Sequence, residues 1–230
     1  MLRSWIHEDK LKIDGLCKNP HPSALQIIEK NIDKIDWFNL SQNPNAIHIL
    51  ERVPEKISWW YLSFNPNALH ILEKNLDLIY WSWLSLNPNA IHLLEQYPEK
   101  INWLHLSQNP NAIELLMKNP DKIRWDVLSK NPNAIHILEQ NPEKIDWGVL
   151  SLNPNAISLI EQNLDKIELD YISSNPNAIS IIEQNLELVD WCYLSYNKNA
   201  LHLLEQNQEK IDWYWLSTNP SIFEEEYACK

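Results

Sequence analysis

Residues 131–152 read Asn131-Pro132-Asn133-Ala134-Ile135-His136-Ile137-Leu138-Glu139-Gln140-Asn141-Pro142-Glu143-Lys144-Ile145-Asp146-Trp147-Gly148-Val149-Leu150-Ser151-Leu152, and the same pattern returns every 22 residues along most of the chain. The string Asn-Pro-Asn-Ala begins at Asn43, Asn65, Asn87, Asn109, Asn131, Asn153 and Asn175. Asn197-Lys198-Asn199-Ala200 continues it with the proline lost, and His21-Pro22-Ser23-Ala24 precedes it in phase. In this reading nine units of 22 residues run from 21 to 218 without insertion or deletion. Residues 1–20 form an N-terminal cap with a degraded fragment, Ile13-Asp14. Residues 219–230 form a C-terminal cap with an acidic tail, Glu224-Glu225-Glu226. A fixed period of this length is the mark of a stacked repeat, and its end units are expected to be atypical and polar.

Each column of the repeat has a physical meaning. Let position 1 be the Asn of Asn-Pro-Asn-Ala. Positions 4, 5 and 8 are Ala, Ile or Leu, and Leu or Ile, which share one apolar stripe of a helix. The sequence predicts a first helix over positions 1–10, with Asn as N-cap and Pro as first helical residue. Asn at position 11 is expected to end it in the left-handed conformation, where glycine is usual. Positions 12–15 predict a single helical turn. Position 16, often Asp, Ser or Asn, predicts the N-cap of a second helix. That helix carries Trp at 17 (Leu169 once), Leu or Ile at 20 and Ser at 21, all on one face. No unit can bury these residues alone, so neighbours must stack. The expected fold is an all-α solenoid of nine repeats, each two short helices. The alternative is a leucine-rich-repeat-like solenoid with a short strand at positions 14–17, where Lys-Ile-Asp-Trp alternates polar and apolar. Against it, the L-x-L core of such repeats is absent.

Composition narrows the function. The chain has 2 glycines in 230 residues, where average usage gives roughly sixteen. No glycine-rich phosphate loop is present. Net charge is -12, and no Lys/Arg cluster forms the basic patch that nucleic acid requires. Cys17, Cys192 and Cys229 are far apart and odd in number, with no CxxC pair, so reduced thiols in a cytoplasmic compartment are expected. The first residues contain no secretory h-region, and no run of about 18 apolar residues predicts a membrane span.

The unit N-P-N-A-I-x-x-L-E-x-N-x-[DE]-K-I-D-W-x-x-L-S-x resembles tandem repeats in proteins of giant DNA viruses that infect protists, over residues 21–218. The resemblance implies a viral source and a setting in host cytoplasm or virion. It implies no reaction.

Five sets of columns are candidates for function. Position 6 carries His48, His70, His92, His136 and His202. It exchanges freely with Gln, Glu and Ser, so a solvated face is expected and no metal site. Trp at position 17 reads as core. Asn at positions 1 and 3 reads as capping and as amide ladders between units. Acids at positions 9 and 13 read as a solvated ridge. The variable positions 18, 19 and 22 are those the scaffold does not need, and they are rich in aromatic anchors. They nominate Trp60, Tyr61, Phe64, Trp83, Leu86 and His105 in one patch, and Tyr193, Tyr196, Tyr214 and Trp215 in another. The expected function is a non-enzymatic scaffold that binds another protein through this aromatic face. The alternative is a self-associating structural or virion component. No nucleophile elbow, metal motif or cofactor loop points to an enzyme, and no cofactor is expected.

Overall fold

The computed structural model describes residues 1–167 and 169–224. Among them the regular elements are all helical, and the only β-type pairing is an isolated bridge between Leu2 and Phe223. A pair of short helices recurs about every 22 residues. In unit 131–152 the first helix is Ile135–Glu139, a 3-10 turn follows at Pro142–Lys144, and the second helix is Trp147–Leu150. The α-solenoid is therefore the fold. The strand alternative fails because only positions 15 and 16 are extended, between a turn and a helix. Ile145, at φ -69° and ψ 124°, is an example. Asp146 then caps the second helix by accepting the Val149 N–H, as the sequence predicts.

Two local expectations are corrected. From the second unit on, the first helix starts at position 5, and the residue ahead of it is Ala134 or its equivalents, with no side-chain cap. Positions 1–4 instead form a turn. Asn131 Oδ1 accepts the Asn133 N–H at 3.0 Å, and Asn131 O accepts the Ala134 N–H at 3.1 Å. The amide of Asn131 is committed elsewhere. Its Nδ2 donates to Asn109 O at 2.8 Å in the preceding unit and to Ser107 O at 3.0 Å at the end of the unit before that. Asn at position 11 is not left-handed either, since no described residue has positive φ. Asn141 sits at φ -136° and ψ 57°, and its Nδ2 donates to Ile137 O at 2.8 Å. A side chain thus satisfies a carbonyl that the helix end leaves open. This explains the glycine scarcity more directly than an Asn stand-in does: the unit contains no left-handed position at all.

Three polar ladders tie each unit to the one before. The position 1 amide is the first. The second is position 3, where Asn133 Nδ2 donates to Pro110 O at 2.9 Å. The third is the Ser of position 21. Ser107 Oγ donates to Trp103 O at 2.8 Å and accepts the Arg124 N–H of the next unit at 3.1 Å. Asn131 and Ser129 are fully buried, yet no buried side-chain polar atom among the described residues lacks a partner. Satisfied in this way, buried polar groups fix register. The apolar core alternates with them. Ala134, Leu138 and Leu150 have no exposure, and each fully buried leucine contributes about 1.5–3 kcal/mol. The position 17 tryptophans are half-buried against this core. Lys144, Lys166 and Lys210 each cover the Trp of the preceding unit, with Nζ 4.2, 4.7 and 4.4 Å from the rings of Trp125, Trp147 and Trp191.

The ladders do not stop at the ends of the repeat. Asn19 Nδ2 donates to Ser217 O at 3.0 Å and Asn219 O at 2.9 Å. Ser217 Oγ accepts the Lys12 N–H at 2.8 Å. Lys10 Nζ lies 4.8 Å from the Trp213 ring. Helix Ile13–Lys18 packs beside helix Trp213–Thr218. The Arg3 N–H donates to Ile222 O at 3.0 Å, and the Glu224 N–H donates to Met1 O at 2.7 Å. The two end segments are thus not solvent-facing caps. Asn219–Ile222 supply positions 1–4 of a unit, and residues 7–18 supply positions 11–22. Together they make a composite tenth unit that closes the solenoid into a ring. The Asn column begins at Asn19, two residues ahead of the phase at 21. The first unit therefore spans 19–42 and holds two extra residues before Ala24. Of the tail, Glu224 is described, and Glu225 and Glu226 lie outside the described residues.

Gly15 sits at position 19 of the composite unit. A Cβ there would meet Tyr214 O at 2.6 Å and Ser217 Cβ at 2.7 Å. The seam needs glycine because two helices approach closely, not because the backbone is unusual.

Candidate interaction surfaces

Closure into a ring divides the variable columns. From the unit ending at Lys130 round to the unit ending at Gln42, position 22 faces the ring axis. Gln42, Lys130, Leu152, Ser174, Tyr196 and Thr218, with Lys18, line one cavity of about 700 Å³ from seven successive units of the ring. Position 2 supplies most of the rest of that wall, mainly as proline, with Asn197 and Trp215 beside it. Position 18 points to the rim, where Phe38 is 64% and Trp60 47% exposed. Position 19 lies between them and is mostly half-buried, as Tyr61, Trp83 and His105 are. Positions 18, 19 and 22, one, three and four residues apart on the same short helix, are neighbours on its surface and lead from rim towards axis.

The first predicted patch is continuous. Ring centroids run Phe38 to Tyr61 at 6.3 Å, Tyr61 to Phe64 at 6.2 Å, Phe64 to Trp83 at 5.6 Å and Trp83 to Trp60 at 5.6 Å. Trp60 continues to Tyr80 at 5.7 Å, and Trp83 to His105 at 5.2 Å. These spacings are those of favourable aromatic pairs. His105 is anchored through Nδ1 to Ser82 O at 2.6 Å and through its own N–H to Asn102 Oδ1 at 3.0 Å. It supports Trp83 from below. Leu86 is half-buried at position 22, outside the ring-to-ring chain. At the rim, Phe38, Trp59, Trp60, Asp77 and Tyr80 help line an open groove of about 410 Å³.

Sequence reasoning missed Phe38 and Tyr80. Phe38 was legible, since it occupies position 18 of the first unit. Tyr80 replaces the usual Asp, Ser or Asn at position 16, and that exception in a capping column was the available signal. The second patch is smaller. Tyr196 lies 6.1 Å from Trp215, and Tyr214 lies 5.3 Å from it. Tyr193, at position 19, is 40% exposed. Tyr196 and Trp215 belong to the axial wall.

Comparison of the chain with family models, curated proteins and solved structures gives no match. The remaining columns are structural. Each of four position 6 histidines reaches the position 9 Glu of the preceding unit on the outer surface: His48–Glu29 at 3.7 Å, His70–Glu51 and His92–Glu73 at 3.0 Å, and His202–Glu183 at 2.8 Å. Among the described residues no three His, Cys, Asp or Glu side chains gather as a metal set. No described helix is long and apolar enough to cross a membrane.

Proposed function

We propose that the ring is a non-enzymatic scaffold that binds another protein through the aromatic strip Phe38–Tyr61–Phe64–Trp83–Trp60–Tyr80. One observation carries this reading. Six aromatic rings form an unbroken chain, and Phe38, Trp60 and Tyr80 leave 64%, 47% and 50% of their surface in water beside a groove. Exposed aromatic surface of this kind is costly unless a partner covers it. The groove takes an anchor side chain of the partner, and Asp77 at its edge favours a basic neighbour on that partner.

The setting that fits is cytoplasmic, either host cytoplasm or virion, with free thiols at Cys17 and Cys192 as support. A second copy of this chain is the competing partner, joined through the strip on a two-fold axis. The test replaces Phe38, Trp60 and Tyr80 by Ala together, leaving half-buried Trp83 intact. The expected result is unchanged thermal stability with loss of partner capture, or a fall from dimer to monomer mass in light scattering. Unchanged capture together with unchanged mass contradicts the proposal.

A further inference from the structure

The axial cavity carries a charge pattern opposite to that of the molecule. Its charged wall residues are Lys18, Lys130 and Lys198, and no carboxylate lines it, in a chain of net charge -12. None of the three lysines takes part in a salt bridge among the described residues. Lys18 Nζ hovers 5.7 Å from the Tyr214 ring. Their placement around the ring is informative. Lys18 closes the composite unit, and Lys130 closes the fifth unit after it. In a ring of ten they stand on opposite sides of the axis. Lys198 enters from the arc between them.

The scaffold does not need these residues. Position 2 is proline in every other unit, and Lys198 is the one departure. Position 22 accepts Gln42, Gln108, Ser174 and Thr218 as readily as lysine. Cations gathered around one half-open cavity repel one another and raise the positive potential inside it. Three neutral donors of the wall already have partners. Gln42 Nε2 donates to Asn39 Oδ1, Ser174 Oγ to Tyr171 O, and Thr218 Oγ1 to Trp215 O. Charge recognition therefore falls to the lysines.

We propose that the axial cavity is a binding site for a small multivalent phosphate anion, held by Lys18, Lys130 and Lys198. A volume of about 700 Å³ matches small-ligand sites. Lysine ammonium groups suit phosphate oxygens as flexible point charges. The acidic exterior works against a long polyanion such as nucleic acid, whose phosphates run beyond the cavity.

The test is calorimetric titration of the intact chain with inorganic tripolyphosphate. One saturable site is expected. Lys198→Pro, Lys130→Gln and Lys18→Gln each install a residue their own column carries elsewhere, so folding is retained. Each is expected to weaken binding about fivefold to tenfold, and the triple variant to abolish it. Lys74→Gln, on the outer surface, is expected to leave it unchanged. A parallel titration with ATP identifies the source. Equal affinity means that the phosphate chain alone is recognised, and tighter ATP binding means that the base also stacks on Trp215 or Tyr196. No saturable binding at millimolar tripolyphosphate overturns the proposal. So does a triple variant that binds like the natural chain, or an equal loss in Lys74→Gln.

Discussion

The seam and an ordinary junction of the ring make the same contacts by different means. Between the units that begin at Asn87 and Asn109, the chain is continuous. There Asn109 Nδ2 reaches Ser85 O and Asn87 O at 3.0 and 2.9 Å. At the seam, Asn19 makes the equivalent pair with Ser217 O and Asn219 O at 3.0 and 2.9 Å, but the partners come from opposite ends of the chain. The ordinary junction has His105 at position 19, where the seam has Gly15. The bond pattern is therefore a property of the unit, and the close approach is a property of the closure. A ring of this kind removes the two exposed ends that an open solenoid must cap.

The largest expected effect breaks the ladder in both places. Asn109→Ala leaves the buried Ser85 carbonyl unpaired, takes one of two donors from Asn87 O, which keeps the Ala90 N–H, and removes the side-chain bond to the Asn111 N–H. A loss of about 4 kcal/mol is expected, read by urea denaturation. Asn19→Ala removes the same bonds where the chain is discontinuous. It is expected to open the seam at a smaller global cost, with a rise in hydrodynamic radius. Equal radius in both variants would erase the distinction between seam and junction.

Gly15→Ala sharpens the comparison next. The new methyl meets a backbone oxygen and a Cβ that cannot withdraw, and overpacking of this kind costs about 1–3 kcal/mol. A melting temperature equal to that of the natural chain would mean that the seam is looser than the contacts indicate.

The seam also carries the one natural change in the Ser column, Cys17 at position 21, fully buried. Burial, the leading cause, pushes its thiol up to about 11, where the ordinary value is 9.0. Because the folded value lies above the unfolded one, this stabilisation is present below pH 9 and is lost as pH rises towards 11. Cys17→Ser is expected to remove that alkaline loss, checked by denaturation at pH 8 and pH 10.5. Identical pH profiles would contradict the sign.

The smallest expected effect lies outside both regions. The exposed His70–Glu51 pair contributes little in water. His70→Gln is expected to change stability by less than about 0.5 kcal/mol.

The 22-residue period made most of the fold legible. Ala, Leu, Trp and Ser columns predicted which faces are buried and where two helices and a turn lie. Asn131 shows why the start of the first helix was misread. An Asn-Pro pair is equally suited to capping a helix and to closing a turn, and the choice depends on carbonyls 22 and 24 residues away. The ring was not legible for a related reason. The composite unit is split between residues 7–18 and 219–222, so neither fragment shows a full period. The aromatic strip was legible by residue type. Its division between rim and axis was not, because that follows from curvature, which no single unit encodes.

Ring closure is tested most directly by amide hydrogen exchange followed by NMR. The Lys12 N–H donates to Ser217 Oγ across the seam, as the Arg124 N–H does to Ser107 Oγ within the chain. A closed ring gives Lys12, together with Arg3 and Glu224, slowed exchange comparable to that of Arg124. Free exchange at Lys12, Arg3 and Glu224 while Arg124 stays protected would mean that the solenoid is open.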